Sequence, residues 1–321
     1  MAVPASVGEP IETGLKDTGV NGVSRRLPGR KYGRGICTKK AFRSWILEGT
    51  TVSFLNNTVF PSGSSEKTLR RRFHDFLDNP PPPIYQKQLV YVFLKADGTY
   101  WKRWGCTLAY KVEQKVIFWD CVEKERYFDY IRNLGQIRLR NYIVLGITSD
   151  KHSSIVSAVK TIHPDIPHQY CLVHIQRRCQ TLLTRNPQTE AGQKLLEIVK
   201  FVNKIPNHDE KEIWIRWLFR FEDRYSDFIN QRTYATTDDG KRTWWYTHRN
   251  VRKAFRHLRN SLDNMFLYLD HPGLSKDTNG LEAEFTYLKE RIGKHRGLNR
   301  ERKMNLVHWY FHFKSQETKT P

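Results

Sequence analysis

The sequence predicts an α/β protein: a mixed sheet with flanking helices, interrupted by a mostly helical insertion and preceded by a small helix-turn-helix. Three observations carry that prediction. Residues 88–185 read strand-strand-strand-helix-strand-helix-strand-helix, residues 186–275 lose the strand pattern, and the run Pro80 to Pro83 cuts off a short helical stretch before the first strand. At 321 residues the chain has room for about two domains of average size.

In chain order, residues 1–38 are rich in small residues and end in Arg25, Arg26, Arg30, Lys31 and Arg34, which reads as a flexible basic arm. Residues 39–79 hold an apolar-periodic stretch (Phe42, Trp45, Ile46), a loop with Pro61 and Gly63, and then a helix over Ser65–Leu77. In that helix Leu69, Phe73, Phe76 and Leu77 form one stripe, with Lys67, Arg70 and Arg71 mostly off it. A basic recognition helix fits this pattern, and so does an ordinary solvated face. The prolines make a stiff linker and mark a boundary.

The core begins with Leu89–Leu94, a β-branched and aromatic run closing at Asp97-Gly98. Trp101–Tyr110 and Lys115–Trp119 follow as hairpin-linked strands. Glu123–Leu134 is helical by the spacing of Tyr127, Tyr130, Ile131 and Leu134. Tyr142–Ile147 is a continuous apolar run of the buried parallel kind, with Asp150 just past its end. Ser153–Ile162 reads as helix, His168–Val173 as a short strand and Ile175–Leu183 as helix. The insertion, 186–275, is helix-like over Leu195–Val202, Ile213–Phe221 and Val251–Leu269, and residues 276–321 return to the core.

Charge narrows the partner. There are 54 Lys and Arg against 33 Asp and Glu, a formal charge of +21. A polyanion is implied, and nucleic acid leads, because neutralising phosphates releases condensed counterions. A membrane surface would call for a basic amphipathic helix or a lipidation signal, and neither is present. No apolar run approaches the roughly 18 residues of a membrane span, and the N-terminus lacks a secretory pattern, so an intracellular, nucleoid-associated location is expected. The five scattered cysteines do not suggest a disulfide framework.

Asp97 and Asp150, read at the ends of neighbouring strands, could share hard divalent cations with phosphate oxygens. Taken singly, Asp97-Gly98 is also a common turn and Asp150 a helix cap. Thr278-Asn279-Gly280-Leu281-Glu282-Ala283-Glu284-Phe285 opens a helix with the stripe Leu281, Phe285, Leu288 and Ile292, followed by Gly293-Lys294-His295-Arg296-Gly297-Leu298. Glu282 and Glu284 flank that stripe on opposite sides, so periodicity does not choose between them.

With Asp97-Gly98-Thr99-Tyr100, Ser149-Asp150 and Cys171-Leu172-Val173-His174, these elements resemble the Mutator-like DDE transposases of bacterial insertion sequences, over roughly residues 88–315. The resemblance implies a ribonuclease H-like fold, the order of which the element pattern shares. It also implies a metal-binding and catalytic triad of Asp97, Asp150 and Glu282, with Mg²⁺ as cofactor and Mn²⁺ as its substitute. The implied reaction is cleavage at element ends and strand transfer to target DNA, carried out by a homodimer on terminal inverted repeats. Lys151 departs from the family, which often has Gly there.

Cys171 and His174 match a signature of that family with a structural or site-shaping role. Their spacing also suits zinc, although Cys179 and His168 would be the only further donors nearby. Lys289, Lys294 and Arg296 belong to a basic track beside the triad, and by the resemblance an insertion aromatic, Trp245 foremost, stacks on an unpaired base. An inactive transposase-derived DNA-binding protein and a structure-specific nuclease are the rival readings.

Overall fold

The structure is a computed structural model that describes residues 29–59, 65–102, 104–295 and 297–317, with side chains from residue 37 onward. The basic arm up to residue 28, and the loop of Pro61 and Gly63, therefore lie outside the described residues.

Five strands form one sheet: β1 (Val90–Trp101), β2 (Gly105–Val112), β3 (Lys115–Val122), β4 (Tyr142–Ser149) and β5 (His168–Tyr170), in the order β3-β2-β1-β4-β5. The β1–β2 and β2–β3 pairs are antiparallel, while β1–β4 and β4–β5 are parallel. This is the ribonuclease H-like arrangement that the element order predicts. Hairpin-length links join the antiparallel strands, and crossover helices join the parallel ones.

One face of the sheet is covered by α4 (Tyr127–Leu139) and α5 (Ser153–Ile162). Their Tyr130, Leu134, Ile137, Ile155 and Val159 pack on Leu94, Leu108, Val144 and Ile147. The other face receives α10 (Asn279–Lys294) and α11 (Arg300–Gln316) together with three N-terminal helices, α1 (Gly29–Leu47), α2 (Val52–Val59) and α3 (Glu66–Asp78). α1 begins inside the stretch read as an arm.

The N-terminal helices share their core with α11. Phe42 is fully buried, its ring 4.8 Å from Phe76 and 5.4 Å from Trp309. The Trp309 indole donates to the Phe76 carbonyl at 2.8 Å, and the Arg302 guanidinium grips both Asp78 oxygens at 2.7 and 2.8 Å. Gly49, at φ +69, makes the turn between α1 and α2. A Cβ there would sit 2.8 Å from the Lys294 stem and in a conformation that side chains disfavour.

The insertion's helices α7 (Glu190–Phe201), α8 (His208–Asn230) and α9 (Arg249–Arg259) form a second core together with α6 (Leu172–Leu183), which precedes it. Between α8 and α9 stands a hairpin absent from the sequence reading, β6 (Arg232–Thr236) and β7 (Arg242–Tyr246). Both strands are short and almost wholly exposed, so they lack the buried-exposed alternation that reveals a strand.

Candidate active site

Asp97 is not at a strand end. β1 continues through it to Trp101, and Asp97 and Gly98 pair with Ala109 and Leu108, so the turn reading of this dipeptide is corrected to extended backbone. What ends here is the parallel pairing: the last partners are Ala96 and Ser149, which leaves Asp97, still within β1, and Asp150, just past the end of β4, as the next residues of the two neighbours.

Asp97 is 7% exposed. The Gly98 amide donates to its Oδ1 at 2.8 Å, and the Thr278 hydroxyl donates to its Oδ2 at 3.3 Å. One ligand atom each from Asp97, His174 and Glu282 lie within 4.8 Å of one another. These come from the sheet, the first turn of α6 and the first turn of α10, so only folding assembles them. His174 Nε2 is 3.5 Å from Glu282 Oε1, and the Arg177 guanidinium also pairs with that oxygen.

Asp150 stands beside this group with its Oδ1 accepting from the His152 amide at 3.2 Å, at the start of α5. Its carboxylate thus ties back to the residue just before α5, without capping the helix, while its field still reaches Asp97 and His174.

Thr278 explains why two sequence elements belong together. Its amide and hydroxyl both donate to the buried Cys171 sulfur at 3.4 Å, while the same hydroxyl reaches Asp97. Cys171 in turn donates its amide to the Ser149 carbonyl at 2.7 Å. The Cys-x-x-His turn is therefore a brace between β4, the start of α10 and His174. The other zinc donors are engaged elsewhere: Cys179 faces the Ala254 carbonyl, and His168 bonds Ser149.

The electrostatics follow from burial. Loss of water pushes the Asp97 carboxyl up to about 7, with Asp150 and Glu282 adding repulsion and His174 opposing it. The Cys171 sulfur beside the ring, with Asp97 and Asp150, holds the His174 imidazolium up to about 9 against its burial.

Both shifts act in one direction on the cation-free protein. From about pH 4 to 7 the native chain keeps an Asp97 proton that the unfolded chain has lost, so stability falls as pH rises through that window. The His174 contribution is complete below about pH 6.5 and disappears as pH rises through 9. Asp97→Asn should accordingly melt above wild type in chelator at pH 8, by a margin that shrinks towards pH 4. A variant melting below wild type at pH 8 would contradict this assignment.

Two groups escaped the sequence reading. Glu125 lies in the link between β3 and α4. Tyr130 donates to its Oε2 at 3.0 Å, the Cys106 thiol faces its Oε1 at 3.6 Å, and His152 Nδ1 is 3.7 Å away. A Cβ on Gly98 would come within 2.6 Å of the same carboxylate, so glycine after Asp97 is what lets Glu125 approach β1. The sequence reading places Glu125 inside a helix over Glu123–Leu134, whereas α4 starts only at Tyr127, and a glutamate off the apolar stripe carries no signal of a site. Arg177 is equally plain in sequence, one of 54 basic residues.

Of the candidate DNA contacts, Lys67, Arg70 and Arg71 are exposed on α3, with Arg70 paired to Glu66 at 3.4 Å. Lys289 is exposed with its ammonium 6.0 Å from the Trp101 ring centre, and Lys294 pairs with Glu290 at 3.3 Å. Arg296 lies outside the described residues. Arg302, on the same basic track, is spent on Asp78, and Arg291 donates to the Glu48 carbonyl. Lys151 ties the end of β4 to the insertion through the Asn260 carbonyl and Ser261 hydroxyl, at 2.9 and 2.8 Å, a use that the glycine common in the Mutator-like family would not allow.

Residues 146–287 match the family described as Transposase IS66 family, a DDE transposase family. The match covers just under half of the chain, from within β4 to within α10, and takes in Asp150, the Cys171–His174 turn, the insertion and Glu282. The likeness is to DDE transposases and gives no support to the Mutator-like grouping. No curated protein matches the chain. Among the described residues no helix is long and apolar enough to cross a membrane.

Proposed function

We propose that the protein is a DDE transposase that cuts DNA at the ends of an insertion sequence and joins the freed 3′ ends to target DNA. The observation that carries this reading is the convergence of Asp97, His174 and Glu282 beside Asp150, on a ribonuclease H-like sheet, within a chain similar to the Transposase IS66 family.

The donor set fits a divalent cation. Two carboxylates and an imidazole face one another, with the Asp150 carboxylate adding a further negative charge beside Asp97. Asp97 and Glu282 would hold the metal, with Asp150 completing the acidic triad. Two oxygens suit Mg²⁺, and the imidazole nitrogen makes Mn²⁺ at least as good a match. When bound, such ions activate the attacking oxygen and stabilise the leaving one.

The chain's own residues do the rest. Thr278 fixes the Asp97 carboxylate from one side and the Gly98 amide from the other, so its orientation is set before DNA arrives. Arg177 puts positive charge beside Glu282, where it can meet a scissile phosphate. Lys289 and Lys294 extend that charge along α10, and α3 presents Lys67, Arg70 and Arg71 to the same polyanion.

Replacing Lys67, Arg70 and Arg71 together with Ala should weaken binding to the terminal repeats and flatten its salt dependence by up to about three phosphate contacts, with little change in melting temperature. The check is a binding isotherm at several salt concentrations, and an unchanged slope would remove α3 from the interface.

A further inference from the structure

We infer that one face of the β6–β7 hairpin, the face of Trp244 rather than that of Trp245, is a binding platform for single-stranded DNA. This rests on the proposed transposase reading only for the choice of DNA as the polymer; the platform itself stands on the hairpin's chemistry.

The antiparallel register pairs Arg232 with Tyr246, Tyr234 with Trp244 and Thr236 with Arg242, and directly paired residues share a face. Arg232, Tyr234, Arg242, Trp244 and Tyr246 therefore stand together. Trp245 stands on the reverse side with Thr233, Ala235 and Thr243.

The shared face is open. Tyr234 is 70% exposed and Trp244 is 46% exposed, values that pay no part in a core. The Arg232 guanidinium lies 4.3 Å from the Trp244 ring centre and 5.9 Å from that of Tyr246. Arg252 stacks at 3.9 Å on Tyr246 from α9 and bonds its hydroxyl and Asn230.

Neither arginine has a carboxylate partner among the described residues, in contrast to Arg132, Arg177 and Arg302, each held by an acid. Aromatic rings orient the two guanidinium groups and leave their charge uncompensated. Such a group suits a phosphate, and the exposed Tyr234 and Trp244 rings, directly opposite one another in the register, suit unstacked bases. A duplex offers phosphates but no free base faces, so the combination selects a single strand over a double one.

The test is fluorescence anisotropy of a labelled oligothymidylate on the full chain in chelator, so that the readout does not depend on cleavage. Trp244→Ala and Tyr234→Ala should each lose roughly tenfold in affinity, in line with the stacking free energy of one base. Arg232→Gln should reduce the salt slope by about one. Trp245→Ala should bind within about twofold of wild type, and Trp244→Phe should recover most of the loss.

Unchanged affinity in the Trp244, Tyr234 and Arg232 variants would overturn the proposal, as would an equal loss on duplex and single strand, or a loss confined to Trp245→Ala. Asp97→Asn should retain oligothymidylate binding, so failure of the catalytic reading and failure of the platform give different results.

Discussion

Asp97→Asn, Asp150→Asn and Glu282→Gln are each expected to lower metal-dependent cleavage and strand transfer by about three orders of magnitude or more, because each removes a charged ligand where several kcal/mol of transition-state stabilisation is supplied. Binding of terminal-repeat DNA in chelator should persist or strengthen, since each change deletes negative charge beside the phosphates. The control is two residues away. Glu284 accepts from the Tyr310 hydroxyl at 3.2 Å and lies 3.8 Å from the buried Lys111 ammonium, on the side of α10 turned to the core. Glu284→Gln should therefore cost about 1–3 kcal/mol of stability while leaving the chemistry in place. Full activity in Glu282→Gln with loss in Glu284→Gln would move the third carboxylate to the other side of the helix.

Phe42→Ala should have the largest effect on folding. The ring contacts Phe73, Phe76, Trp309 and Phe313 with no exposed surface, and truncating such a side chain costs about 3–5 kcal/mol. The N-terminal helices share this core with α11, so the whole ribonuclease H-like unit should melt earlier in one transition. Calorimetry distinguishes this from an independent N-terminal unit, for which a small early transition would shift and the main one would stay.

The sheet was legible because its strands are long, apolar and β-branched, and Tyr142–Ile147 shows the continuous hydrophobicity of a strand buried on both sides. Asp97 was found as a residue but placed at a strand end, since Asp-Gly favours turns and only the pairing with Ala109 and Leu108 shows that β1 runs on through it. The hairpin was hidden for the opposite reason: exposed on both faces, it has no alternation to detect.

At the site, the motifs gave Asp97, Asp150, His174 and Glu282 as residues. They could not show that His174, rather than Asp150, would stand in ligand range of the other two, nor that Thr278 would join Cys171 to Asp97. Those facts depend on how the first turns of α6 and α10 dock at the edge of the parallel pair. Contacts between residues 107 and 181 positions apart leave no local pattern.

We propose that the Asp97 cluster performs metal-dependent phosphoryl transfer on DNA. The most direct test incubates the full chain with Mg²⁺ or Mn²⁺, DNA bearing the flanking inverted repeats and a target plasmid, and sequences the products. The expected products are 3′ ends released at the repeats and joined to target strands, dependent on the cation and absent with Asp97→Asn. Specific repeat binding with no cleavage or joining under either cation would contradict the proposal.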